Sequence, residues 1–153
     1  MSHQILSREE IVAMYERRQA LTNITAISLD LRDMNFAAAA LTHSKLIGAD
    51  LSRCNLSYAN LTGTNLSQAK MRRAVMLRAK LLGAQLILCD LTEADLSYAN
   101  LTDAVLTGAT LKNTNFTGAI LHGTVFTMCD LSSANMTGAR FDDVVGYIPP
   151  EDE

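Results

Sequence analysis

Ala94-Asp95-Leu96-Ser97-Tyr98-Ala99-Asn100-Leu101-Thr102-Asp103 holds the rule that the chain repeats: a small residue, Asp or Asn, a large apolar residue, then two variable positions. Counting outward in fives from Leu31 to Phe141 gives 23 rungs, all large and apolar: sixteen Leu, three Met (Met71, Met76, Met136) and four Phe (Phe36, Phe116, Phe126, Phe141). Two residues before each rung, from Ala39 to Ala139, stand 21 small residues, fourteen of them Ala and three of them the cysteines Cys54, Cys89 and Cys129. A helix cannot use this period, because at about 100° per residue five steps overshoot a full turn by roughly 140° and scatter the rungs. A continuous strand cannot use it either, since an odd period alternates the faces. The chain must turn once per repeat, with the small and large residues pointing inward from a short extended segment and two successive outward residues forming a corner. Seven of the eight glycines stand two after a rung, on that corner, where positive φ is cheapest for glycine. Segment and corner in alternation predict an all-β solenoid of parallel coils.

Units such as Ala94 to Tyr98 and Ala99 to Asp103 resemble the pentapeptide repeat family, and the Leu- and Ala-rich array resembles its cyanobacterial members. The resemblance implies a right-handed quadrilateral parallel β-helix of about six coils with four repeats per coil, about 4.8 Å apart. An internal copy agrees with that count: Leu56 to Thr62 and Leu96 to Thr102 are identical at an offset of two twenty-residue coils. The expected organisation is an N-terminal α-helical cap and lead-in at 1–27, the β-helix at 28–145 and a C-terminal tail at 146–153. Ser7-Arg8-Glu9-Glu10 reads as a capping box, followed by Ile11, Met14, Tyr15 and Leu21 on one apolar face to plug the first coil. After Leu21, the segment through Ile27 and Leu29 reads as an irregular first coil. Val144, Val145, Tyr147 and Ile148 are candidates to cover the last coil.

The formal charge of −3 argues against a nucleic-acid footprint. No stretch approaches a membrane span, and the first ten residues lack the apolar core of a signal peptide, so a cytoplasmic protein is expected. The cysteines read as buried and reduced; Cys89 and Cys129, two coils apart, are too distant for a disulfide. His3, His43 and His122 share no site in this register, and no phosphate loop, dinucleotide fingerprint or metal-ligand spacing appears. Neither catalysis nor a cofactor nor a metal is expected. Twelve of the 23 rungs follow Asp or Asn, which reads as corner hydrogen bonding rather than as chemistry.

One coil, residues 70 to 89, keeps the interior rule and abandons the exterior one. Lys70, Val75, Lys80 and Gln85 replace Asp or Asn, and Arg72, Leu77, Leu82 and Ile87 replace Ser or Thr. The twenty-residue stack also sets Lys70 between Asp50 and Asp90, Arg73 beside Glu93, and Arg78 between Tyr58 and Tyr98. The candidate interaction surface is therefore Arg72, Leu77, Arg78, Lys80, Leu82, Ile87 and Leu88, with Ile47, Tyr58 and Tyr98 beside it. Ile47, Ile87, Leu88, Val105, Val125 and Met128 lie on a fourth face that suits a weak homodimer, if the chain is not monomeric. The function expected is a non-enzymatic scaffold or regulatory module that contacts a protein partner. The family also implies an alternative: some similar proteins imitate a DNA duplex and bind a type II topoisomerase such as gyrase. This chain departs from that pattern in having a basic coil and no continuous acidic stripe.

Overall fold

A computed structural model describes residues 5–146. Six coils run from residue 21 to residue 140, and the residue before each rung pairs with the one twenty positions on through parallel bridges such as Asn35↔Asn55, Val75↔Asp95 and Ile120↔Arg140, with the pair 110 and 130 left unbridged. The fold is the right-handed quadrilateral β-helix the repeat predicts. Its four faces are named here by the residues at their corners: 30–33, 35–38, 40–43 and 45–48, each recurring every twenty residues.

The repeat is explained by where its five backbone N–H groups go. The rung N–H donates to the next coil, as Leu56 does to the Val75 carbonyl at 2.7 Å, and so does the second corner residue, Tyr58 to Leu77 at 2.8 Å. The small residue closes the corner by donating to the rung carbonyl, Ala59 to Leu56 at 3.0 Å, and the residue before the rung donates to the preceding coil, Asn55 to Met34 at 3.0 Å. Only the N–H directly after the rung has no backbone acceptor. Asp or Asn supplies it: the Oδ1 of Asn55 accepts from the Ser57 N–H at 3.0 Å, and all twelve Asp and Asn residues before rungs do the same.

The corners are tight turns with positive φ at the second corner residue, the type II arrangement. Glycine was expected to mark these positions, yet seventeen non-glycine residues there adopt the same φ of 55° to 62°. Coil-to-coil hydrogen bonding outweighs the steric cost of a Cβ there, about 1–2 kcal/mol per residue. Glycine serves a second purpose at the corner. A Cβ on Gly118 would come within 2.6 Å of the Tyr98 ring, on Gly63 within 2.5 Å of His43, and on Gly108 within 2.8 Å of Leu88. Each of these glycines is a notch for the corner side chain one coil earlier. Gly83, preceded by Gly63, has nothing within 4 Å of the equivalent position.

Inside, every rung from Leu31 to Phe126 is at most 2% exposed. Polar residues at the small position are satisfied in one way: Ser44, Thr64, Thr114 and Thr124 donate their hydroxyls to the rung carbonyl 23 residues earlier, at 2.8 to 2.9 Å. Cys54 and Cys129 donate their thiols likewise, at 2.9 and 3.0 Å, and none of the three cysteines is in a disulfide. Burial holds the thiols protonated, pushing Cys54 up to about 11 and raising Cys89 further.

The helix α1 (Arg8–Glu16) has the predicted capping box, with the Ser7 hydroxyl accepting from the Glu10 N–H and Glu10 accepting from the Ser7 N–H. It ends in a Schellman turn, Arg18 N–H to Tyr15 and Gln19 N–H to Met14, with Arg18 at φ 56°. Ile11 is buried, Tyr15 packs edge-on to Phe36 at 5.6 Å and donates to the Ala37 carbonyl, and Arg8 donates to the Asp30 carbonyl. The helix thus covers the first coil. Two expectations are corrected. Leu21 is not on the helix face but is the first rung, 1% exposed, and the coil is regular from there, since Leu21 donates to Ala40, Asn23 to Thr42, and Thr25 bridges Lys45. The coils therefore begin seven residues before the boundary expected at 28. Ala26 hides this in the sequence, because it is a rung position filled by a small, fully buried residue.

At the other end Leu131, Met136 and Phe141 are only half-buried. Val145 stays in register, bridging Val125 with its side chain 53% exposed, rather than folding over the coil. Gly146 stands at the next rung position with φ 80°, where a Cβ would meet Thr127 backbone at 2.8 Å. Tyr147 and Ile148 lie outside the described residues.

Candidate interaction surface

The coil 70 to 89 encircles the rod, so its outward residues fall on four faces rather than into one patch. Arg72 is on the first face. Leu77 and Arg78 are on the second, with Tyr58 and Tyr98; Lys80 and Leu82 are on the third; Ile87, Leu88 and Ile47 are on the fourth.

The second face is largely self-complementary. The Arg78 guanidinium stacks 5.5 Å over the Tyr98 ring, whose other neighbour is the Gly118 notch, while Tyr58 remains 58% exposed. Leu77 is half-buried between these residues. On the third face Lys80 is exposed and has no ion pair among the described residues, and Leu82 is 36% exposed.

The fourth face is apolar. Among the described residues nine large hydrophobic side chains are exposed: Ile5, Ile27, Leu88, Met128 and Val145 are on this face, three are on the second, one on the third and none on the first. Half-buried Ile47, Ile87, Val105 and Val125 lie between the exposed ones. The apolar residues of this face fall in two groups, Ile5, Ile27 and Ile47 toward the N-terminal end and Ile87, Leu88, Val105, Val125, Met128 and Val145 toward the other, with Asn65, Ser67 and Gln68 between them. Ile27 was missed because its coil was read as irregular, although the twenty-residue offset from Ile47 was available.

The first face carries charge of alternating sign. Arg53 and Asp33 form a two-bond pair at 2.6 and 2.8 Å, Arg73 reaches Glu93 at 2.6 Å, and Arg32 closes on Asp30 at 2.6 and 2.8 Å. These guanidinium bonds hold the carboxyls of Asp30, Asp33 and Glu93 below the usual range. Lys70 behaves differently. It bridges Asp50 and Asp90 through the backbone, but it has no ion pair among the described residues. Both carboxylates are turned into their own corners: Asp50 accepts from the Ser52 N–H, and Asp90 from the Thr92 N–H and hydroxyl. Arg72, 61% exposed, reaches only Asp90, at 3.7 Å. Lys70 and Arg72 line a groove of about 550 Å³ between the first and fourth faces, bordered by Gln68 and Leu88.

Among the described residues no group of three or more His, Cys, Asp or Glu side chains converges as a metal site, and no helix is long and apolar enough to cross a membrane.

Comparison with known proteins agrees with this geometry. A family model described as pentapeptide repeats matches eight copies, over residues 35–73, 73–108, 84–123 and 109–145. No curated protein sequence matches. Among solved structures, a pentapeptide repeat protein from the thylakoid lumen of Arabidopsis thaliana is 30% identical with a TM-score of 0.51, the match covering 76% of this chain and 68% of that one. QnrB1, a plasmid-mediated fluoroquinolone resistance protein solved as a trypsin-treated variant, is 18% identical with a TM-score of 0.52, covering 95% and 86%. Rfr23, from the cyanobacterium Cyanothece, is 23% identical with a TM-score of 0.41, covering 88% and 95%. The chain belongs to the pentapeptide repeat family.

Proposed function

We propose that this chain is a non-enzymatic interaction module, a scaffold or regulatory rod that presents its fourth face and the adjoining part of coil 70 to 89 to a protein partner in the cytoplasm. The observation that carries the reading is the concentration of exposed apolar side chains on one side, densest from Ile87 and Leu88 to Met128 and Val145, since clustered apolar surface on a water-facing protein marks contact. The interior contributes support of another kind: the inward hydroxyls of Ser44, Thr64, Thr114 and Thr124 are all spent on rung carbonyls. The same face serves a weak homodimer. Replacing Leu82, Ile87 and Leu88 together by Ser tests the reading through solution mass and partner capture. Loss of either with the fold intact is expected, and no change in both would overturn it.

A gyrase-directed role is the second reading, and it draws on the fold shared with QnrB1. Its weak point is charge, because the first face alternates sign from coil to coil where a duplex mimic needs a continuous acidic stripe. Inhibition of gyrase supercoiling by the purified protein is the test.

A further inference from the structure

Lys70 stands where the neighbouring coils carry Asp50 and Asp90, and the substitution has two consequences at one corner. The N–H of Arg72 loses the acceptor that Ser52 and Thr92 have at 3.1 and 3.0 Å, and it finds no other among the described residues. The corner also gains the Lys70 ammonium, without a carboxylate, and the loosely held Arg72 guanidinium. Leu77, Leu82 and Ile87 lose the same acceptor, but only at Arg72 does the unaccepted N–H coincide with two cations and a groove.

We propose that this corner binds a carboxylate of an acidic peptide segment, which takes the place of the missing aspartate: one oxygen accepts from the Arg72 N–H, while Lys70 and the Arg72 side chain neutralise the charge. Leu88, 60% exposed at the border of the groove, packs an apolar residue of the same segment. A peptide fits better than a nucleic acid because the groove sets its two cations beside the exposed Leu88 side chain, and a peptide can supply an apolar residue next to its carboxylate where a phosphate backbone cannot. The proposal rests on the reading of the adjoining fourth face as a contact surface and names the partner chemistry at its edge.

The test uses a fluorescein-labelled decapeptide of alternating Glu and Leu, followed by anisotropy, and ¹⁵N-resolved shifts of the protein. Lys70→Asn restores the family acceptor and is expected to melt no lower than the parent while weakening binding at least tenfold; Arg72→Ser is expected to weaken it about fivefold. Lys80→Asn, which removes the same charge on the opposite side of the rod, is expected to leave affinity unchanged. The Arg72 amide is expected to shift on titration and the Leu82 amide to stay. Unchanged affinity in Lys70→Asn, equal loss in Lys80→Asn, or equal binding by a Gln-Leu decapeptide or a labelled DNA 12-mer overturns the proposal. Those outcomes leave the fourth-face reading to the Leu82, Ile87 and Leu88 variant, which retains Lys70 and Arg72.

Discussion

Gly118→Ala and Gly83→Ala are the same chemical change at the same corner conformation, and the structure predicts different costs. Both glycines have positive φ, 64° and 60°, so both variants place an alanine in the left-handed region at about 1–2 kcal/mol, offset by about 0.4–1 kcal/mol from the less flexible unfolded chain. Gly83→Ala stops there, with nothing within 4 Å of the new methyl group, for a net loss of about 1 kcal/mol. In Gly118→Ala the methyl meets Tyr98 Cε1 at 2.6 Å and Cδ1 at 2.7 Å, roughly 1 Å inside ordinary contact. The ring is 54% exposed and can swing aside, but doing so gives up the Arg78 stacking. Displacing it adds about 0.5–1 kcal/mol. Urea unfolding measured for Gly83→Ala, Gly118→Ala, Tyr98→Ala and the double variant isolates the clash. The double variant should be more stable than the sum of its parts by about 1 kcal/mol. If Gly118→Ala is no worse than Gly83→Ala, or the two changes at Tyr98 and Gly118 are additive, the notch account is wrong.

Further outcomes follow from the same geometry. Leu96→Ala should cost about 2–5 kcal/mol in chemical denaturation, whereas Thr102→Ala, which loses only a half-exposed hydroxyl bond to Asn100, should cost less than about 1 kcal/mol. Asn60→Ala strands the Thr62 N–H and should lower stability by about 1 kcal/mol, and Val75→Asn, which gives the Leu77 N–H an acceptor, should raise it by a similar amount. Asp30, Asp33 and Glu93 have carboxyls held below their ordinary values by Arg32, Arg53 and Arg73, so their contribution is full above about pH 4 and is lost as pH falls through the lowered values. Glu93→Gln should therefore flatten the acid side of a Tm-against-pH curve. Burial of Cys54 and Cys89 predicts that neither reacts with a thiol reagent at pH 8 until the protein unfolds.

The interior was legible because one residue decides each inward position and the period never slips, so Leu31 to Phe126 could be read without any tertiary information. Two things were not. Ala26 breaks the size rule without breaking the geometry, being fully buried and in register at a rung position, and no local pattern shows that. The surface was legible only as columns: Arg73 with Glu93 and Arg78 with Tyr98 followed from the offset of twenty. That Lys70 would remain unpaired between two aspartates did not, because it depends on Asp50 and Asp90 turning their oxygens into their own corners.

The twenty-residue offset has a genetic consequence. Core packing asks only that insertions and deletions come in fives, because any repeat fits beneath any other. The surface asks for twenties. Gaining or losing a single pentapeptide would keep every leucine stacked yet rotate all later coils by a quarter turn, carrying Met128 and Val145 away from Leu88 and parting Tyr98 from Gly118. Such a change would leave the core intact, cost only corner contacts such as Tyr98 over Gly118, and be decisive for recognition, so a lineage of these rods can alter what it binds by a step of gearing, with no substitution in the core at all.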